Sequence, residues 1–409
     1  MSNGSFHLLL ARRILKDKGN RFSRPIVNLS VVGVSIGLII MMIAIGITSG
    51  YKHEIRKMVT ALGAHVRISH FDQNYSYEQV PFNKDQSSLK ALKKHTEIAG
   101  MQNFATKVGI VKTANQVEGI VLKGVDDSFN WQLFAENIQV GKGLTYDKQN
   151  ANNQIVISKR MADKLQLKVG DKVHTYFVQD PPRSRSFKIS GIYATGLPEY
   201  DNMYALVDLR HVQKLNDWTE QQVSGIEVLL QDESKCAEMG DYIHHHIPQD
   251  LKAETMPQIY PEIFDWIALF DTNVAVLLII TTCVCLVTMM SIFFIIILEQ
   301  TQTIGILKTL GMKTQGVVKT FMTVAAHILI KGMLIGDFIA LTFGILQQKL
   351  HLIKLNPDTY YVDFVPVHFN IGAVLLLNIA VFVICLLVLL LPAYVVGKKI
   401  SPVSAVRWD

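Results

Sequence analysis

The sequence predicts an α-helical membrane protein with four transmembrane helices and one large α+β domain. Asp, Glu, Lys and Arg are absent from residues 25–51, 272–298 and 369–397, and a weaker apolar stretch covers 318–348. Each charge-free stretch exceeds the ~20 apolar residues that a helix needs to cross a bilayer. Because lipid cannot hydrogen-bond the backbone, we expect these segments to be helical. Residues 52–265 are polar and long enough to fold as a domain.

Basic residues predict the orientation of this chain in the membrane. They cluster before the first crossing, between the second and third, and after the fourth: Arg12, Arg13, Lys16, Lys18, Arg21 and Arg24; Lys308, Lys313 and Lys319; Lys398, Lys399 and Arg407. With four crossings all three clusters share one side, which the positive-inside rule makes cytoplasmic. This bias accounts for much of the formal net charge of +6, so no nucleic-acid role is needed.

These patterns divide the chain into nine segments. The first apolar core is long for a signal peptide and no A-x-A site follows it, which favours a retained anchor. The expected segments are a cytoplasmic amphipathic helix (1–24), transmembrane helix 1 (25–51), an extracytoplasmic domain (52–265), transmembrane helix 2 (266–298), a cytoplasmic loop (299–317), transmembrane helix 3 (318–350), an extracytoplasmic loop (351–368), transmembrane helix 4 (369–397) and a cytoplasmic tail (398–409).

The domain at 52–265 alternates strand-like and helix-like segments, which indicates an α+β or α/β fold. Ser158 and Asp208 are placed to cap short helices. The expected strands are 65–69, 105–113, 116–125, 154–157, 172–178, 187–193 and 225–230, and the expected helices are 87–94, 158–165 and 211–215.

The loop between the second and third crossings carries the most informative motif, LEQTQTIGILKTLGM at 298–312. Ile304, Leu307 and Lys308 fall at helical spacing, and Gly311 suits a helix end. A short, partly apolar helix at the membrane surface can dock into a groove on a soluble partner. It can equally be a tight connection between two helices, and spacing alone leaves both interpretations open.

This motif resembles the L-E-[RK]-T-x-x-I-G-[IL]-L-K-x-L-G signature of the FtsX-like and MacB-type ABC permease superfamily. Residues 154–171 and 189–201 are similar to the lipoprotein-releasing permeases of the LolC/LolE type, and 401–407 resembles their P-x-x-A-[LIV]-R tail. The resemblance implies a MacB-like periplasmic core at 52–265 and a multi-pass protein of a Gram-negative inner membrane, with both termini cytoplasmic.

The resemblance further implies a permease that is not itself an enzyme and needs no cofactor of its own. It implies a dimeric ABC ATPase holding ATP and Mg²⁺, a second permease copy or paralogue, membrane lipid, a lipoprotein substrate extracted from the outer leaflet, and a periplasmic lipoprotein chaperone. No G-x-x-x-x-G-K-[ST] motif occurs, which excludes ATP hydrolysis by the P-loop route. Drug or peptide efflux and regulation of a cell-wall hydrolase stay open as alternatives.

The expected ATPase-coupling residues follow from the same resemblance. They are Thr303, Ile304, Gly305, Ile306, Leu307, Lys308, Leu310, Gly311 and Met312. Many relatives carry an acidic residue where this chain has Thr303, so a salt bridge to the ATPase is not expected at that position.

Three further sets are candidates. Pro181, Pro182, Arg183 and Arg185 form a basic loop for docking a chaperone or other partner, or an ordinary hairpin. Met41, Met42, Ile45, Ile280, Met290 and Phe294, with Val34, Leu38, Val276 and Val287, line an acyl-chain route or simply pack helices. Lys331 and Asp337 lie in the third crossing, where each charge costs roughly 2.5–3.5 kcal/mol. We expect Lys331 to reach the headgroups and Asp337 to be paired or protonated.

No metal site is expected. His244, His245 and His246 are consecutive, so on a helix they point in different directions and cannot easily converge on one ion. Cys283 and Cys285 lie in an apolar helix, where small buried hydrophobes are the better interpretation.

Overall fold

The computed structural model describes residues 10, 23–62, 64–72, 79–113, 116–147 and 149–399. The amphipathic helix expected at 1–24, apart from residues 10, 23 and 24, and the tail motif at 401–407 lie outside these residues. Two compact units divide the chain: a helical unit (Met1–His53, Trp266–Leu355, Phe364–Asp409) and a sheet unit (Glu54–Asp265, Asn356–Asp363).

The elements are numbered in chain order, and two 3₁₀ turns (Ala135–Asn137 and Glu233–Lys235) are left unnumbered. They are α1 (Ser23–Leu62), β1 (Val66–His70), β2 (Phe82–Asn83), α2 (Ser87–Leu92), β3 (Ile98–Lys112), β4 (Val117–Val125), α3 (Trp131–Phe134), β5 (Ile138–Gly141), β6 (Gln154–Ser158), α4 (Lys159–Leu165), β7 (Lys172–Phe177), β8 (Arg183–Tyr193), α5 (Pro198–Met203), β9 (Tyr204–Asp208), α6 (Leu209–Leu215), β10 (Gln222–Val223), β11 (Gly225–Leu230), α7 (Cys236–His246), β12 (Leu251–Thr255), α8 (Met256–Ile259), α9 (Pro261–Glu299), α10 (Thr301–Thr309), α11 (Thr314–Leu350), α12 (Pro357–Tyr360) and α13 (Ile371–Lys399).

Among the residues that the structure describes, four helices are long and apolar enough to cross a membrane, as predicted. Their apolar spans are Val27–Thr60, Pro261–Glu299, Thr314–Leu350 and Ile371–Val395. The first helix does not end near residue 51, where the charge-free stretch ends. It continues to Leu62 because the polar residues that follow still bury an apolar face, with Ile55 and Val59 in the interior.

Close packing of α1 against α11 organises the helical unit. Ser35 Oγ donates to the carbonyl of Gly332 at 2.7 Å, and a Cβ added at Gly336 would lie 3.0 Å from the Ser35 carbonyl oxygen. Small residues let two helix backbones approach in this way, and such contacts are common between membrane helices. Around this contact Leu38 and Phe293 are buried with other apolar side chains of the bundle.

A ten-stranded sheet forms the sheet unit, which confirms the α+β expectation. Its order is β12-β1-β11-β3-β4-β9-β6-β8-β5, with β7 paired to β3 and β8, while β10 and β2 form a separate pair. The pairs β4–β9 and β6–β8 are parallel, and the other pairs described are antiparallel. Both predicted caps are present: Ser158 Oγ accepts from the Met161 amide, and Asp208 accepts from the Arg210 amide, each at 3.0 Å.

A cluster of buried charges lies inside this sheet. Lys123 Nζ is 2.7 Å from Glu227 Oε1, and Arg67 Nη2 lies 3.9 Å from the same oxygen. The Phe104 ring lies beneath both cations, at 5.5 Å from Arg67 Cζ and 5.3 Å from Lys123 Nζ. Burial raises the pKa of Glu227 and lowers that of Lys123, although their mutual attraction opposes both shifts. One carboxylate therefore pairs with a buried lysine and a largely buried arginine.

We expect Glu227→Gln to destabilise the sheet unit by ~3–5 kcal/mol, because it leaves two buried cations without their carboxylate. The loss of stability is measured by heating the detergent-solubilised chain and monitoring unfolding of the sheet unit by its susceptibility to proteolysis. Glu238→Gln removes an exposed carboxylate from α7 and should change stability by less than ~1 kcal/mol. Equal midpoints for the two variants would contradict the assigned role of Glu227.

Candidate functional site

Helix α10 is short, and hydrogen bonds cap both of its ends. At its start the Gln300 amide donates to the Ile296 carbonyl at 3.2 Å, and Thr303 Oγ1 donates to Gln300 Oε1 at 3.0 Å. Thr303 therefore bonds within its own turn.

The end of α10 is a Schellman cap, as the position of Gly311 predicts. Gly311 has φ +93°, its amide donates to the Lys308 carbonyl at 3.0 Å, and the Met312 amide donates to the Leu307 carbonyl at 3.0 Å. Leu307 and Met312 line the same apolar pocket, which supplies the hydrophobic contact that accompanies this motif. The cap fixes where α10 stops and α11 begins.

The two faces of α10 differ in exposure. Ile304 and Gly305 are buried against the bundle, with Ile304 next to Phe321 in the apolar pocket. Ile306 is 52% exposed and Leu310 is 79% exposed, so two large apolar side chains face outward at the tip. Lys308 is half-buried between these faces. The arrangement is a rigidly capped helix that presents apolar side chains, which suits docking to another protein.

The residues predicted for an acyl-chain route do not share one surface. On α1, Met41 and Met42 are buried inside the bundle with Val34 and Leu38, and Ile45 is half-buried. On α9, Met290 is half-buried, whereas the following residues are exposed on the outer side of the helix: Val276, Ile280, Val287 and Phe294. The candidate residues on α1 are therefore mostly used in packing against other helices, whereas most of those on α9 remain accessible.

The two charged residues of α11 differ in environment. Lys331 is exposed. Asp337 is half-buried and accepts a hydrogen bond of 3.1 Å from the Asn378 amide on α13. The partner of Asp337 is thus an uncharged side chain on the last helix, which the spacing of charged residues alone could not indicate.

The basic loop expected at 179–187 is shorter than predicted. Strand β8 already begins at Arg183, so both arginines lie in a strand and only 178–182 connect β7 to β8. Arg183 bonds to other residues of the sheet unit. Its Nη2 is 2.8 Å from Asp217 Oδ1, and its Nη1 donates to the Lys214 carbonyl at 2.7 Å. Arg185 is half-buried, and Pro181 and Pro182 are exposed.

The three consecutive histidines lie exposed at the end of α7. The Nδ1 atoms of His245 and His246 lie 2.8 Å from the carbonyl oxygens of Asp241 and Tyr242, one turn earlier. Within the described ranges no group of three or more His, Cys, Asp or Glu side chains is arranged to hold a metal ion.

Sequence reasoning missed a groove in the sheet unit. A cavity of about 500 Å³ is lined by the end of α1, the start of α4, the segment 194–196 and Tyr361–Asp363. Asp201 lies at its base, where burial raises the pKa of the carboxyl even though Thr195 donates two hydrogen bonds to it. A second cavity of about 430 Å³ continues along β5 and α4. These segments are far apart in sequence, so no local motif marks the groove.

Comparison with known proteins covers both units of the chain. Residues 28–245 match the MacB-like periplasmic core domain, and residues 275–399 match the FtsX-like permease C-terminal region. The lipoprotein-releasing system transmembrane protein LolC of Neisseria meningitidis is 20% identical, covering 97% of this chain and 98% of its own length. LolC of Haemophilus influenzae is 23% identical over 100% of both chains, and LolE of the same organism is 21% identical over 90% and 91%.

We expect Gly311→Ala to fray the end of α10, since an L-residue at positive φ costs about 1–2 kcal/mol. An added Cβ at Gly311 meets nothing within 4 Å, so the cost is conformational and not steric. Amide exchange at 310–312 should accelerate roughly 5- to 30-fold. Gly119→Ala is the matched control, because its Cβ also meets open space but its φ is not positive. Unchanged exchange in Gly311→Ala would show that the cap is not needed.

Proposed function

This chain belongs to the permeases that join a MacB-like periplasmic core domain to an FtsX-like membrane region, and we propose that it is the membrane subunit of a lipoprotein-releasing ABC transporter. The observation that carries the proposal is similarity to LolC and LolE proteins over nearly the whole chain, sheet unit and helices together. The relatives named above are all lipoprotein-releasing proteins, which favours this function over efflux or control of a cell-wall hydrolase.

The proposed setting is the inner membrane, which the chain crosses four times. The basic clusters then face the cytoplasm with both termini, and the sheet unit is the extracytoplasmic domain inserted between the first and second crossings. This orientation gives the protein access to the outer leaflet, from which lipoproteins are extracted, and to any soluble periplasmic acceptor.

A separate dimeric ATPase supplies the energy in this proposal. It holds ATP and Mg²⁺, and α10 is the segment that it moves. Ile306 and Leu310 are the proposed anchors, because burying one such side chain on docking contributes roughly 1.5–3 kcal/mol. Ile304 and the Schellman cap join α10 to the bundle, so that displacement of α10 is passed to α9 and α11.

The cargo sets a physical requirement on the permease. Each methylene buried in lipid contributes about 0.8 kcal/mol, so an acyl chain of ~14 methylenes is held by on the order of 11 kcal/mol and three chains by over 30. Exposing all three to water at once is not a plausible single step. We infer that the exposed apolar side of α9, facing a second permease subunit, offers a continuous route, and that the buried α1 residues support it.

We expect the double variant Ile306→Asp/Leu310→Asp to lose stimulated ATPase activity and lipoprotein release at least tenfold, because carboxylates replace the apolar anchors. The measurement uses the reconstituted complex in proteoliposomes with a lipoprotein substrate and a soluble acceptor.

Leu352→Asp is the control for this test. It places the same charge at an exposed leucine that lies outside α10, and it should retain full activity. Wild-type stimulation in the double variant would refute the coupling role of α10. Failure of the unaltered complex to release lipoprotein with ATP would refute the proposed function itself.

A further inference from the structure

We propose that β5 is a binding site for an extended peptide, which adds to the sheet as a further strand. Resting on the proposed function, the occupant is the unstructured segment of a lipoprotein that follows its acylated cysteine. The proposal concerns the polypeptide part of the cargo, which the acyl-chain route does not address.

Strand β5 is an open edge of the sheet. Within the part of the chain that the structure describes, it pairs only with β8, and it ends the strand order. Hydrogen bonds to β8 are made by its flanking residues: the Asn137 carbonyl accepts from the Ala194 amide, and the Lys142 amide donates to the Ser190 carbonyl, each at 2.9 Å. In an antiparallel pair the residues between such bonds direct their backbone groups outward. Ile138 therefore presents its backbone groups to an incoming chain, and Gly141, whose φ is +85°, ends the extended stretch.

The opposite edge of the sheet differs from β5. The first and last residues of β12 are buried and the three between them are half-buried. In β5 the last three residues are exposed, and Val140 is 56% exposed. Proteins protect open edges with proline, charges, a covering element, a short strand or a β-bulge. Strand β5 has no proline and no charged residue, but it is four residues long and carries a register shift between Ile138 and Val140. This exposed edge is therefore suited to the addition of a short strand.

A groove runs beside this edge and suits an extended chain. Its floor is apolar, with Val140, Leu167 and Ile192, and its rim carries Lys159 and Lys168 with one carboxylate, Asp163. Alternate side chains of an added strand would point toward this floor and away from it. The groove thus combines backbone partners along one side with an apolar surface below.

The groove also leads toward the segments next to the apolar spans. The cavities of about 430 Å³ and 500 Å³ share the lining residues Gln139, Lys159 and Asp163, so they adjoin and together define a channel. The larger cavity is also lined by Glu54, Lys57 and Met58, in the part of α1 beyond the charge-free stretch 25–51, and by 361–363, between the third and fourth spans. Lys57 pairs with Glu136, two residues before β5. A peptide joined to a lipid anchor could therefore follow this channel from its acylated end.

Site-specific photo-crosslinking tests the proposal in the full complex. A benzophenone amino acid replaces Val140, or Val117 as the matched control, which is a valine 59% exposed on β4. The complex is reconstituted in proteoliposomes with a triacylated lipoprotein that has an unstructured tether. We expect the yield of cargo adducts at Val140 to be at least tenfold higher than at Val117, with the adducts mapping to the residues after the acylated cysteine.

A second cargo separates strand addition from simple proximity. Proline has no backbone N–H, so a proline-rich tether cannot donate hydrogen bonds to β5, whereas a Gly/Ser tether of equal length can. The adduct yield at Val140 should fall at least fivefold with the proline tether and persist with the Gly/Ser tether. Equal yields at both valines, or no effect of proline, would overturn the inference.

ATP-driven release measured in the same vesicles keeps the two hypotheses apart. Release without specific adducts at Val140 would leave the proposed function standing and refute the peptide site. Specific, proline-sensitive adducts without release would support the peptide site and refute the transport function.

Discussion

Hydrocarbon offers no hydrogen-bond partner to a peptide group, and the four apolar segments of this chain must therefore satisfy their backbones internally, as helices. Everything else is arranged around that constraint. Where α1 and α11 meet, the approach is close enough for Ser35 to bond to a carbonyl of the neighbouring helix. The surfaces proposed for recognition lie in α10, where the chain leaves the apolar segments, and in the sheet unit.

The features predicted correctly are those that short stretches of sequence determine. Three charge-free runs and one weaker apolar stretch identify the four helices, Ser158 and Asp208 cap the helices that follow them, and Gly311 ends α10. Each depends on residues within one or two turns. The continuation of α1 to Leu62 was missed because polarity rises after residue 51, although the helical period of buried residues continues.

The features that were missed depend on distant partners. Arg183 looks like a docking residue until Asp217 and the Lys214 carbonyl are placed beside it. Met41 and Met42 look like an accessible lining until α9 and α11 cover them. Strand β5 is only four residues long and has no clear alternation, so its position at the sheet edge follows from the topology alone. Sequence patterns show which residues can be functional, and packing decides which of them are available.

Two kinds of recognition come together in the function proposed for this chain. The apolar tip of α10 can be recognised by side-chain contacts, which are specific to one partner. The edge of β5 offers backbone groups, which accept many sequences. A transporter that acts on many cargoes with one ATPase needs both kinds of recognition, because the ATPase is always the same whereas the cargo sequence varies.

The buried cluster of Arg67, Lys123 and Glu227 has a consequence for the evolution of this sheet. Because one acid is shared by two bases, loss of Glu227 alone leaves two cations without their carboxylate, whereas loss of either base leaves one balanced ion pair, and an all-apolar replacement of the trio can be tolerated. The unstable intermediates between these two solutions are those that lose Glu227 before both bases are gone. The three positions should therefore covary among homologues, and a library that samples single substitutions would not reach the apolar alternative.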